Sequence, residues 1–164
     1  MGSAQEREEL VESLDRRRFL LRRTVHGLTD EEAARRTTVS ELTLGGLIKH
    51  VASVEARWAR FVTGGAEAMR GGEEDWAGQF RMAEGETLEG LLAAYEEVGR
   101  ATDELLRGLP DLDLAHPLPP APWFEPGARW SARQVVLHLI AETAQHTGHA
   151  DIIRESLDGV RATG

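Results

Sequence analysis

Apolar residues along this chain recur at helical spacing. Leu10, Leu14, Leu21, Val25 and Leu28 stand four, seven, four and three residues apart, with Arg16, Arg17, Arg18, Arg22 and Arg23 between them. An amphipathic helix is therefore predicted from about Ala4 to Leu28. Thr29 and Glu32 read as a capping box, which opens a short helical turn from Ala33 to Arg36. A second long helix is predicted from Thr43 to Val62, where Leu44, Leu47, Ile48, Val51, Val54, Trp58 and Phe61 share one broad face and Gly64 and Gly65 stop it. The third, from Thr87 to Leu109, carries Leu88, Leu91, Leu92, Tyr95, Val98, Leu105 and Leu106 and ends at Gly108 and Pro110. Ser131 and Gln134 form another capping box that launches a fourth helix, running through about Leu157 and ending at Gly159.

Two longer connections separate these segments. From Gly64 to Glu86 the pattern lapses into Gly71 and Gly72, the acidic Glu73, Glu74 and Asp75, and the isolated aromatics Trp76 and Phe80, read here as a connection that crosses the molecule. The stretch from Pro110 to Arg129 holds all six prolines, with Trp123 and Phe124 at its tip. Proline fixes φ and lacks an amide donor, so an ordered loop is expected there. Four long amphipathic segments, with no alternation of period two, predict an all-α four-helix bundle. Two connections of about twenty residues favour a crossover topology over a simple up-and-down series.

At 164 residues, 41% of them hydrophobic, the chain suits one domain spanning 1–164. No apolar run approaches the ~20 residues of a membrane span and the first thirty residues are charged throughout, so a cytoplasmic protein is expected. Nineteen basic against 28 acidic residues leave a net charge of −9, the wrong sign for binding nucleic acid or an anionic membrane. The absence of cysteine removes disulfides, cysteine-bound metals and any thiol nucleophile belonging to the chain. A metal here must rest on histidine and carboxylate. Among the basic residues only Lys49 is lysine, a usage that suggests a high-GC genome.

The fourth helix carries such groups. His138, Glu142, His146 and His149 are spaced four, four and three, which places them with Val135, Leu139 and Ile153 on a stripe about 100° wide. A carboxylate on a core-facing seam costs several kcal/mol unless neutralised, paired or bound to a metal. Residues at i and i+4 lie ~5–6 Å apart, so Glu142 and His146 can close on one ion. His50, the one histidine of the second long helix, is the candidate third ligand. Two histidines and a glutamate leave a fourth position open, as catalytic zinc sites do; zinc, nickel and ferrous iron all suit such ligands. The alternatives are a buried pair between Glu142 and an arginine, and core packing for His50 and His138.

The run from Ala141 to Ile153, with Glu142, His146, Gly148, His149 and Asp151, and the upstream run from Leu44 to Trp58, with Gly45, Gly46 and His50, resemble the DinB/YfiT-like superfamily. The similarity covers nearly the whole chain. It is greatest to the actinobacterial branch of thiol-dependent transferases and mycothiol-dependent maleylpyruvate isomerases. The resemblance implies a four-helix bundle with a non-sequential connection and a divalent metal, most simply Zn2+ with Ni2+ or Fe2+ as options, held by His50, Glu142 and His146. Glutamate at 142, where many relatives have histidine, matches the mycothiol branch. The isomerases carry an additional C-terminal domain and this sequence stops at Gly164, so transfer is expected in place of isomerisation. His149 and Asp151 are expected beside the ligands or as a proton shuttle, and Gly148 is expected to allow close backbone approach near the metal.

With no cysteine in the chain, sulfur must arrive as a co-substrate. The expected activity is a metal-dependent S-transfer in which a low-molecular-weight thiol, mycothiol by resemblance, attacks an electrophilic small molecule. Trp58 and Trp130, with Trp123 and Phe124, are candidate walls for that electrophile. Two other classes stand beside this: a metal-stabilised homodimer without turnover, using the apolar breadth of the first two helices, and a metal-dependent hydrolase or isomerase.

Overall fold

The computed structural model describes residues 4–70 and 78–162. Trp76 and the run from Gly71 to Asp75 lie outside them. Helices α1 (Ala4–Arg23), α3 (Leu44–Met69), α4 (Leu88–Gly108) and α5 (Ala132–Asp158) make the bundle, with a short α2 (Asp30–Ala34) and two strands, β1 (Ala115–Pro117) and β2 (Arg129–Ser131). α3 packs on α4 and α5, and α1 packs on the same two helices. The first and second long helices are thus diagonal partners and the connection is non-sequential. No helix among the described residues is long and apolar enough to cross a membrane.

The predicted caps form. Thr29 and Glu32 close one capping box, and Ser131 and Gln134 another. Thr43 and Thr87 cap α3 and α4 by accepting from Gly46 and Gly90, each cap worth about 1 kcal/mol. α1 stops at Arg23 instead of near Leu28: the chain tightens into turns in which Thr24 N–H donates to Leu21 O at 3.1 Å and His26 N–H to Arg23 O at 3.2 Å, and it leaves the helical path at Gly27, whose φ is 76°. Arg154 Nη1 fastens these turns by donating to Thr24 O at 3.0 Å and to His26 O at 2.9 Å. α3 runs on to Met69, but with a break at Gly65, whose φ of 68° is a conformation natural to glycine. His116 of β1 donates from Nε2 to Val62 O at 3.1 Å beside this break. The two strands, each three residues, were too short to show an alternating pattern. They pair antiparallel with His116 opposite Trp130.

Two apolar clusters fill the bundle. One includes Leu14, Val54, Leu106 and Leu139, the other Leu21, Val51, Tyr95 and Ile153. A polar layer lies between them, to which every long helix contributes: Arg18, Glu55, Thr102 and Asp103, with Glu142, Thr143, His146 and Thr147 of α5. Arg18 donates to Glu55 at 2.6 and 3.1 Å and to Asp103 at 2.9 Å. Burial penalises the guanidinium, but the bonds and charge of Glu55, with Asp103 behind, outweigh that and raise its pKa. Gly99 leaves the space for it, since a Cβ there would stand 3.3 Å from the Arg18 side chain.

Candidate metal centre

His50 stands in the second turn of α3, and Glu142 and His146 stand one turn apart on α5, where the two helices face each other. One ligand atom from each lies within 4.8 Å of the others. His50 Nε2 is 3.3 Å from Glu142 Oε1, and His146 Nε2 is 3.2 Å from the same oxygen. Both histidines are 8% exposed. Of the polar groups predicted on the core seam, Glu142 and His146 are therefore brought together with the one histidine of α3.

The donor set suits a cation. Gln79 Oε1 lies 3.0 Å from His50 Nδ1. An amide oxygen can only accept, so with the Gln79 amide in this orientation Nδ1 carries a proton. The Nε2 lone pair of His50 then faces the Glu142 carboxylate. Two acceptors turned on one another require a proton or a metal ion between them. His146 is also engaged on its far side, with its Nδ1 3.2 Å from His149 Nδ1. When protons and not a metal fill the gap, the hydrogen bonds from His146 and His50, opposed by burial, hold the Glu142 carboxyl well below the usual carboxylate range.

His138 lies one turn before Glu142. Its ring meets Trp58 at 5.2 Å and Trp130 at 5.2 Å, and the two indoles stack on each other at 4.9 Å. Burial lowers the His138 pKa against the opposing charge of Glu142, which keeps this ring neutral near pH 7. Phe124 meets the edge of Trp130 at 5.7 Å, whereas Trp123 is 74% exposed.

The remaining predicted residues separate. His149 joins the cluster through His146. Asp151 is nine residues beyond Glu142, about 180° around the helix, and accepts from the backbone N–H of Ala162 at 2.9 Å. Gly148 is not a point of close approach: a Cβ there would have nothing within 4 Å. The glycine that serves this purpose is Gly46, where a Cβ would fall 1.7 Å from Phe80 O. Periodicity could not find Gln79 or Phe80, which lie in irregular chain. The ring of Phe80 covers His50 with centroids 4.3 Å apart.

A four-helix bundle whose first two long helices lie on a diagonal, with His50, Glu142 and His146 across one seam, defines a DinB/YfiT-like protein. The chain belongs to the mycothiol-S-transferase family, whose model matches residues 9–159. That membership supports a mycothiol-S-transferase-like function. A crystal structure described as the conserved protein of locus from Enterococcus faecalis is similar to the fold, with a TM-score of 0.67 over 93% of this chain and 97% of that chain. At 16% identity the likeness extends to the fold alone. No curated protein matches significantly.

Proposed function

We propose that the protein joins a low-molecular-weight thiol, mycothiol, to an electrophilic small molecule in the cytoplasm, with His50, Glu142 and His146 holding a divalent metal, most simply zinc. The observation that carries this reading is the convergence of two imidazole nitrogens and a carboxylate oxygen within 4.8 Å at one buried seam. When bound, the metal lowers the pKa of a thiol so that it is deprotonated near neutral pH. The sulfur–carbon bond forms as the thiol proton leaves to solvent and the leaving group departs with its electron pair.

The chain's own residues orient and enclose this chemistry. His149 steadies the ring of His146 through its outer nitrogen and is the candidate to relay the thiol proton to solvent. Of the pair His149 and Asp151, geometry supports the histidine, since the carboxylate of Asp151 lies around the helix and ties down Ala162. Trp130, half buried and stacked on the buried Trp58 beside His138, would offer an apolar surface one turn from Glu142 to a flat, weakly polar electrophile. A direct test mixes purified protein with mycothiol and an aryl chloride such as 1-chloro-2,4-dinitrobenzene, with metal-stripped protein as control. Conjugate formation that needs zinc supports the reading; equal rates with and without zinc refute the metal's role.

A homodimer remains part of the proposal, on a different face. The apolar breadth of α1 and α3 is spent inside the bundle, where Leu14, Leu21, Leu47, Val51 and Phe61 are buried. Exposed Leu137 and Ile152 instead frame Ala141, Ala144 and Gly148 along the outside of α5. Sedimentation of the wild type against Leu137→Glu tests whether two copies meet there.

A further inference from the structure

Gln79 and Phe80 belong to no helix or strand, yet both bear on His50. We propose that Gln79 is a positioning residue for this ligand, holding the ring proton on Nδ1 and so committing Nε2 to the metal; the inference rests on the metal reading above. A free imidazole divides its proton between two nitrogens. With its amide oxygen turned to Nδ1 at 3.0 Å, Gln79 favours the tautomer that leaves Nε2 free. Partners of this kind fix the orientation of a ligand as well as its basicity.

The segment that carries Gln79 is fastened to the helix that carries His50. Thr43 Oγ1 donates to Phe80 O at 2.9 Å, and Phe80 O rests over Gly46 where no side chain could stand. Lys49 Nζ reaches Arg81 O at 3.4 Å and Glu86 at 3.1 Å. Arg81 in turn pairs with Glu41, just before the cap of α3. Every fastening falls on the first turns of α3 or the residues preceding them, so Gln79 and His50 keep their relation even if α3 shifts against α5. The arrangement is matched across the seam, where His149 takes the Nδ1 side of His146. Each histidine thus has its outer nitrogen occupied and its inner nitrogen aimed at Glu142.

The test is a cobalt(II) titration of the full chain, followed by its visible absorption band and repeated with zinc in competition. Gln79→Leu, which cannot accept, is expected to weaken binding about 10- to 100-fold. Gln79→Asn, which withdraws the amide by one methylene, should weaken it similarly and guards against a folding defect peculiar to leucine. Gln79→Glu keeps an acceptor, now charged, and should bind at least as tightly as the wild type. Thermal melts of the metal-free proteins should agree closely among the four. Binding by the leucine and asparagine variants within threefold of wild type, or loss in the glutamate variant equal to theirs, overturns the role of Gln79 and leaves the metal site standing. A wild-type protein that takes neither cobalt nor zinc overturns the metal site itself, and this inference with it.

Discussion

Arg18 of α1 and Glu55 of α3 meet across the diagonal of the bundle, Nη2 to Oε1 at 2.6 Å, with side chains only 3% and 1% exposed. Removing one partner strands a charge in the core, so Arg18→Met should cost about 3–5 kcal/mol. Replacing both, as in Arg18→Met with Glu55→Leu, should recover most of that loss. Urea denaturation of the singles and the double decides it; a double variant less stable than either single would contradict this account.

Two glycines should respond in opposite directions. Gly46→Ala pushes a methyl group into the carbonyl of Phe80 and should destabilise by about 1–3 kcal/mol, the usual cost of forced overpacking. Gly148→Ala meets nothing within 4 Å on an exposed helical surface. It should stabilise the monomer by up to ~1 kcal/mol through helix propensity. Paired thermal melts in metal-free buffer give both signs in one experiment.

The pH dependence of the metal-free protein follows from Glu142. Its folded carboxyl titrates below the unfolded value of about 4.3, so its contribution is complete above that pH and is lost as pH falls toward the folded value. The stability gap between wild type and Glu142→Gln should therefore be widest near neutrality and narrow steadily below about pH 4.3. A gap that widens in acid has the wrong sign for this assignment. In the loaded protein, acid should also release the metal as its ligands protonate.

Trp130 sits in the middle of the short strand β2, half buried and outside the four long helices, so its loss should leave the bundle folded. With Trp130→Ala, the KM for an aryl electrophile should rise about tenfold, the equivalent of about 1.4 kcal/mol, while the KM for the thiol stays near its wild-type value. Initial rates with each substrate varied in turn make the distinction. An equal effect on both would place the indole elsewhere in the reaction.

Regular spacing made much of this molecule legible before its coordinates. His50, Glu142 and His146 interrupt apolar helical stripes, and helical periodicity carries them to one seam. Arg18 was hidden among Arg16, Arg17, Arg22 and Arg23, although its place midway between Leu14 and Leu21 marks the buried side. Gln79 and Phe80 left no periodic trace, because a side chain in irregular chain is placed by tertiary contacts. The one local sign was Gly45 beside Gly46 in the first turn of a helix, a position where glycine costs stability unless something approaches closely. The strand pair was illegible for a related reason: three residues cannot display a period of two.

The ligand cluster stands on α3 and α5, while Trp130 and Phe124 are held by the proline-rich chain between α4 and α5. On the function proposed above, reactivity and selectivity would be lodged largely in separate parts of the chain, with only Trp58 sharing α3 with a ligand. On that reading, insertions or exchanges between Leu118 and Ala128 should reshape what the protein accepts without disturbing the three groups that would activate sulfur. A library confined to those residues is accordingly the shortest route from this scaffold to transferases with new acceptors.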